Sequence, residues 1–252
     1  MPPHNPRSVV LLSAPGTLGG IDGRLRRAGV RLVRIPSLAI HAVEPSTWLK
    51  RLPPSPTVVI VTSRAGVAAG VVPWIQFTPG GWKGVRFWAA GLGTAAALHA
   101  AGIRKVRSPP RAGAAGIARA LTQGAPQRIV YFRSDRAGPD LSHRLRQCGH
   151  EVVDLVVYRV GELPSLDDRA VRALREADYL VASSPSSLSS LRRRVSAQTF
   201  LVLRQRGRLV VLGERSRRAA RGHGFRRVAL APSTTAQGFT RYLLRELRDA
   251  AA

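Results

Sequence analysis

The sequence predicts an α/β fold of two Rossmann-like domains, and three observations carry that prediction. Short β-rich apolar runs alternate with segments of helical periodicity, the length suits two domains, and the two halves repeat one another in register. At roughly 100–150 residues per domain, a chain of 252 residues with a 44% hydrophobic fraction has material for two cores.

The predicted strands are VVLL (9–12), VVIV (58–61), RFWAA (86–90), IVYF (129–132), YLVA (179–182) and LVVL (209–212). Such continuous apolar runs suit parallel strands covered on both faces. GIARALTQ (116–123), LSHRLRQCG (141–149) and TRYLLRELRDA (240–250) have the apolar spacing of helices. Strand–helix alternation implies right-handed crossovers, and Pro53–Pro56 and Pro109–Pro110 punctuate loops.

The repeat shows in matched landmarks. Gly29 matches Gly149 at an offset of 149 − 29 = 120, Ser63 matches Ser184 at 121, and Gly91 and Gly116 match Gly213 and Gly238 at 122. AAGLGTAAALHAAGIRKV (89–106) and VLGERSRRAARGHGFRRV (211–228) share a cassette: a Gly after a strand, a hydroxyl three places on, and a second Gly eleven places on. Open α/β sheets bind ligands beyond the carboxyl ends of their strands. Thr62, Ser63, Thr94, Ser183, Ser184 and Ser216 all fall there. Two facing domains would offer one anion backbone N–H groups and hydroxyls from both sides.

A net charge of +26 and a pI near 11.9 suit a polyanionic partner. Between Pro45 and Ser134 there are twelve Lys and Arg and no Asp or Glu. GLGTAA (91–96) fits a dinucleotide fingerprint, but the acid expected to bind the ribose is absent and GERSRR in the second cassette lacks the Gly pattern. The histidines are scattered and read as surface residues, with no metal expected. Cys148 reads as a buried structural thiol, and a lone cysteine excludes a disulfide framework and suits a cytoplasmic location. The serines of SSPSSLSSL (183–191) lack a nucleophile elbow and are expected to cap a helix. The N-terminal apolar run is too short for a signal peptide, and no segment reaches transmembrane length, so no membrane is expected.

In order, VVIVTSRAGV, AAGLGTAAALHAAG, EVVDLVVYRV, YLVASSPSSLSSL, VVLGERSRRAARGHG and VALAPSTTAQGFTRYLL resemble the uroporphyrinogen-III synthase family over nearly the whole chain. The resemblance implies two parallel-sheet domains, residues 1–35 with 162–252 and residues 44–152, joined by a two-stranded antiparallel ladder at 36–43 and 153–161. It implies a cyclising lyase acting on hydroxymethylbilane, a linear tetrapyrrole with eight carboxylates, working as a monomer with no metal or organic cofactor. Loss of the terminal hydroxyl leaves an azafulvene; the last pyrrole attacks through its substituted carbon; a spiro intermediate rearranges and the ring closes inverted. Tyr158 would be the general acid. Thr62, Ser63, Thr94, Ser183, Ser184, Ser216 and Arg208 would hold substrate. Transient contact with the upstream hydroxymethylbilane synthase is an open alternative. The first turn, LLSAPG (11–16), has Ser13–Ala14 where an Arg is usual, and Glu214–Arg215 replace the usual Pro-Thr. A degenerate member that binds nucleic acid through its charge is the alternative reading.

Overall fold

A computed structural model describes residues 7–14, 17–233 and 235–249. Part of the LLSAPG turn (Pro15 and Gly16) and Thr234 of the closing motif lie outside them. The first half runs β1 (Ser8–Ser13), α1 (Ile21–Arg27), β2 (Arg31–Pro36), β3 (Ala39–Ala42), α2 (Pro45–Leu49), β4 (Val58–Val61) and α3 (Arg64–Gly66). A π-helical turn, Val67–Val71, leads into α4 (Val72–Phe77), followed by β5 (Arg86–Ala89), α5 (Leu92–Ala100), β6 (Val106–Arg107) and α6 (Ala114–Leu121). The second half runs β7 (Arg128–Ser134), α7 (Asp140–Gln147), β8 (Glu151–Gly161), α8 (Asp168–Glu176), β9 (Tyr179–Ala182) and α9 (Pro185–Arg194). It closes with α10 (Ala197–Arg206), β10 (Arg208–Val211), α11 (Glu214–Gly222), β11 (Arg227–Leu230) and α12 (Ala236–Asp249).

Two units result, Met1–Ala39 with Glu162–Ala252, and Ile40–Gly161. The first holds a five-stranded parallel sheet in the order β11-β10-β9-β1-β2. The second holds β3-β8-β7-β4-β5-β6, parallel except for the antiparallel edge strand β3. Apart from β3 the two orders are the same. In both, a β-α-β element that opens one sequence repeat (β1-α1-β2 or β7-α7-β8) pairs with strands of the other repeat, Leu11 against Val181 and Tyr131 against Ile60.

Apolar runs become central strands because both faces of each sheet are covered. In β7, Val130 and Phe132 point into one cluster with Trp48, Trp74 and Phe87, while Ile129 and Tyr131 enter another with Ile117, Leu121 and Leu145. In β1, Val10 and Leu12 pack toward Leu188 and Leu203, whereas Val9 and Leu11 meet Ile21, Leu25, Phe239 and Leu243. The helices end alike. Gly29, Gly102, Gly149 and Gly224 are left-handed, at φ 70°, 89°, 82° and 83°. After each glycine the next residue's N–H returns to the helix, as in Ile103 to the Leu98 carbonyl and Phe225 to the Ala220 carbonyl. These are Schellman stops, which any Cβ would strain.

Two expectations are corrected here. Cys148 is exposed, because it caps α7 one residue before Gly149, where the chain turns away from the core. His150 is buried rather than superficial. The Gln127 N–H donates to its Nδ1 at 3.2 Å, so its Nε2–H donates to the Leu121 carbonyl at 2.8 Å.

Beyond β1, Arg34 of β2 holds the approach to α1. Its guanidinium donates to the Thr17 and Leu18 carbonyls at 2.9 and 3.1 Å and grips Asp22 at 2.9 and 2.7 Å. Leu18 is thereby kept at φ 52° with its side chain buried, a backbone conformation costing about 1–2 kcal/mol. The hydrogen bond from Arg34 holds the Asp22 carboxyl below its ordinary value of 3.8. Its contribution is therefore present above pH 3.8 and lost as pH falls through the lowered folded value. Asp22→Asn is expected to cost up to about 1 kcal/mol near neutrality, with the difference from wild type vanishing in acid. Urea titrations across pH check this.

Candidate functional site

In the second unit the strands β4, β5 and β7 end on one rim. β4 runs into Thr62 and Ser63, and Ser63 is the extended residue that starts α3, its Oγ accepting the Gly66 N–H at 3.0 Å. A Cβ at Gly66 would sit 3.0 Å from Val61 and 3.4 Å from the Phe132 carbonyl, so this turn lies tight against the sheet. Two phenols meet it. Tyr158, on β8 beyond the irregularity that pairs it with Ser134, places its hydroxyl 2.9 Å from Ser63 Oγ. Tyr131, on β7, places its hydroxyl 3.2 Å from Thr62 Oγ1. Burial is the main cause that pushes the Tyr131 phenol up from its ordinary 10.0, so it remains a protonated hydrogen-bonding group at neutral pH.

Thr94 lies on the next helix start. Gly91, extended at φ −176°, begins α5 without a side-chain cap. The first-turn amides of Leu92 and Gly93 therefore have no acceptor from a cap, and the largely buried Thr94 hydroxyl makes no hydrogen bond to a described residue. Arg64 Nη1 lies 4.0 Å from the Cβ position of Gly93, bringing a cation to the same turn. Leu92 stands 85% exposed beside it.

The first unit repeats this geometry at its own rim. Ser184 caps α9, accepting the Ser187 N–H at 3.3 Å, and its hydroxyl lies 2.9 Å from those of Ser186 and Ser187. Ser183 adjoins the cluster, 3.4 Å from Ser187 Oγ, and its N–H donates to the Leu12 carbonyl at the end of β1. Gly213, at φ −177°, begins α11 without a side-chain cap. Ser216 is buried in the first turn, unpaired among the described residues, as Thr94 is. Glu214 does not leave a bare negative charge there, because Arg217 pairs with it at 2.9 Å.

The doubled cassette is therefore a pair of helix starts with glycine in place of a capping side chain and a hydroxyl at the third helical position. Uncapped amides and the positive end of the helix dipole attract anions such as carboxylates. Among the described residues no group of three or more His, Cys, Asp or Glu could hold a metal, and no helix is long and apolar enough to cross a membrane.

The structure brings Thr62, Ser63 and Tyr158 together, sets Thr94 on the same rim, and groups Ser183 and Ser184 on the rim that carries Ser216. It does not bring Arg208 there. Arg208 is the first residue of β10, so it lies at the amino end of the sheet, its guanidinium 5.8 Å from the Tyr179 ring. Tyr131, Arg64 and Leu92 escaped the sequence reading. Only Arg64 carried a signal, as a cation directly after the Thr62–Ser63 turn.

The uroporphyrinogen-III synthase HemD family model matches residues 20–241. At the level of sequence alone, no curated protein matches the chain. Among solved structures, a triple mutant of uroporphyrinogen III synthase from the extremely thermophilic bacterium Thermus thermophilus aligns with a TM-score of 0.60 and 18% identity, over 96% of this chain and 99% of that one. Uroporphyrinogen-III synthetase from Helicobacter pylori aligns at 0.57 and 15% identity, over 96% and 100%. At those identities the likeness is one of fold, two α/β units with a single antiparallel pair. With nearly the whole chain inside the matched span, the protein belongs to the uroporphyrinogen-III synthase family, the cyclising lyases of tetrapyrrole biosynthesis.

Proposed function

We propose that the protein cyclises hydroxymethylbilane to uroporphyrinogen III, with Tyr158 as general acid. The observation that carries the assignment to residues is the 2.9 Å contact between the Tyr158 and Ser63 hydroxyls. Ser63 Oγ already accepts the Gly66 N–H. Its own proton can then go to the Tyr158 oxygen, directing the phenolic proton at the substrate. Tyr158 gives that proton to the departing hydroxyl, which leaves as water, and the azafulvene carbon becomes the electrophile. The terminal pyrrole attacks through its substituted carbon to form the spiro intermediate. The older bond from that spiro carbon to the methylene of the preceding pyrrole then breaks, and the freed methylene carbon bonds to the terminal ring's unsubstituted α carbon, which inverts the ring. The proton lost from that carbon balances the one Tyr158 gave up.

The remaining residues bind. The Leu92, Gly93, Glu214 and Arg215 amides with the Thr94 and Ser216 hydroxyls suit carboxylates, as do Thr62, Ser183 and Ser184, while the Ser63 hydroxyl is committed to Tyr158. Arg64 supplies a cation and Leu92 an apolar surface for a pyrrole. Because the uncatalysed reaction closes without inversion, the enzyme's contribution is conformational selection together with electrostatic stabilisation. Those functions require donors and positive charge rather than a metal or organic cofactor, so the protein is proposed to act cofactor-free. A cytoplasmic monomer that receives its unstable substrate by transient contact with hydroxymethylbilane synthase completes the reading. The lone cysteine, which suits a reducing compartment, supports the location.

Incubation of purified protein with hydroxymethylbilane, followed by separation of the product isomers, tests the activity. Type III product is expected; type I alone rejects the reading. Thr94→Val keeps the shape and removes the donor. A hydrogen bond to a charged group contributes about 1.5–3 kcal/mol, so KM is expected to rise roughly tenfold or more with kcat less affected. Steady-state kinetics on the variant check it.

A further inference from the structure

Each sheet has a pocket at the amino ends of its strands, the opposite end from the rim; the two share the starts of equivalent strands, but one lies against α12 and the other against the end of α5. In the first unit Arg208 and Arg227 line it, together with Tyr179, Glu246 and Asp249. In the second unit their equivalents, 122 residues earlier, are Arg86 and Lys105. There Arg104 and Arg107 join them, Trp82 stands in the wall, and no carboxylate lines the cavity. The first pocket carries its own counter-charges; the second has only cations. Arg86, Arg104, Lys105 and Arg107 make no ion pair or side-chain hydrogen bond with any described residue. The cavity is about 550 Å³, within the range of small-molecule sites, roughly 300–1,000 Å³. Its floor is apolar, formed in part by the buried side chains of Phe87 and Ile103.

We infer that the pocket lined by Trp82, Arg86, Arg104, Lys105 and Arg107 binds an aromatic ring bearing several phosphate groups, a nucleoside triphosphate in class. Cations of both kinds suit phosphate, arginine through its paired donors and lysine as a point charge. An indole and an apolar floor suit a flat ring and favour it over a bare anion. Net charge alone explains neither the absence of carboxylates from this lining nor the indole. The site is separate from the rim, so the inference stands whether or not the synthase reading does.

The test is calorimetric titration of the full chain with sodium ATP and, separately, with inorganic tripolyphosphate, near physiological ionic strength. Saturable one-site binding of ATP is expected, tighter than that of tripolyphosphate. Arg86→Ala combined with Lys105→Ala should weaken it roughly tenfold or more, as expected when charge-assisted bonds are lost. The matching pair in the other pocket, Arg208→Ala with Arg227→Ala, should leave it within about twofold, which is below 0.5 kcal/mol by the tenfold-per-1.4 kcal/mol conversion. Trp82→Ala should remove the preference for ATP over tripolyphosphate. Thermal melts establish that each variant is folded. Three results overturn the proposal: no saturation by about 1 mM ATP, equal losses from the two arginine–lysine and arginine–arginine pairs, or no preference for ATP in the wild type.

Discussion

Tyr158→Phe is expected to lower kcat by about a hundredfold or more while KM stays within a few-fold, because general acid catalysis contributes roughly 10²–10⁴. The substitution removes one oxygen and leaves the ring where it packs, in the cluster with Phe132, Leu155 and Val157. The structural loss is confined to the hydrogen bond with Ser63, a net effect of about 1 kcal/mol. Ser63 keeps its other partner, the Gly66 N–H, so the start of α3 survives. Product analysis adds a second readout. If ionisation of the bound substrate slows while free substrate still closes spontaneously, the type I fraction must rise. Ser63→Ala provides the complementary case: the phenol remains, but its hydroxyl loses its orienting partner. A smaller fall in kcat, with KM again little changed, is expected. Wild-type turnover in Tyr158→Phe would reduce the residue to a packing role.

Much of the fold is legible in the sequence because its signals are local. VVIV became a strand with all four side chains wholly buried, as an uninterrupted apolar run between turn residues should. The repeat paired Gly29 with Gly149 and, through the cassette, Gly102 with Gly224, and all four are left-handed, since a Schellman stop requires the same residue wherever it occurs. The hydroxyl positions were legible for the same reason: each follows directly from the end of an apolar run.

What escaped depends on which element lies across the sheet. His150 has no neighbour in sequence that announces its burial; its partners, Gln127 and Leu121, are 23 and 29 residues away. Tyr131 reads as another strand aromatic, and only the 69-residue contact to Thr62 gives its hydroxyl a role. Arg208 was assigned to substrate by likeness, as the basic residue before the second cassette; β10 starts there, so strand direction puts it at the end of the sheet away from the hydroxyls. Cys148 failed on a smaller matter, the difference between the last helical residue and the cap that follows it.

The second large effect concerns the support beneath the proposed acid. Phe132 is wholly buried, with Trp48 edge-on at 5.5 Å between centroids and Trp74 at 6.0 Å. Gly70, in the π-helical turn, approaches so closely that a Cβ there would lie 2.8 Å from the Phe132 ring and 3.1 Å from Val157. The extra residue of a π turn lets the helix after Ser63 close over the strand ends, and the missing side chain makes room for the aromatic. Phe132→Ala deletes the ring on which Gly70, Trp48 and Trp74 rest. Truncations of this kind cost about 3–5 kcal/mol, so a large fall in the urea midpoint is expected. Activity should fall further than the unfolded fraction explains. The turn over Phe132 carries Ser63 at its start, and Tyr158 follows Val157 on the strand that Gly70 touches. A collapse of the cavity shifts both hydroxyls, and a misplacement of about 1 Å can cost roughly a hundredfold in rate. Phe132→Leu, which refills most of the volume, should recover most of the stability. If it recovers turnover in proportion, the aromatic supports the fold alone. If turnover lags behind stability, the ring is what holds Tyr158 and Ser63 in register.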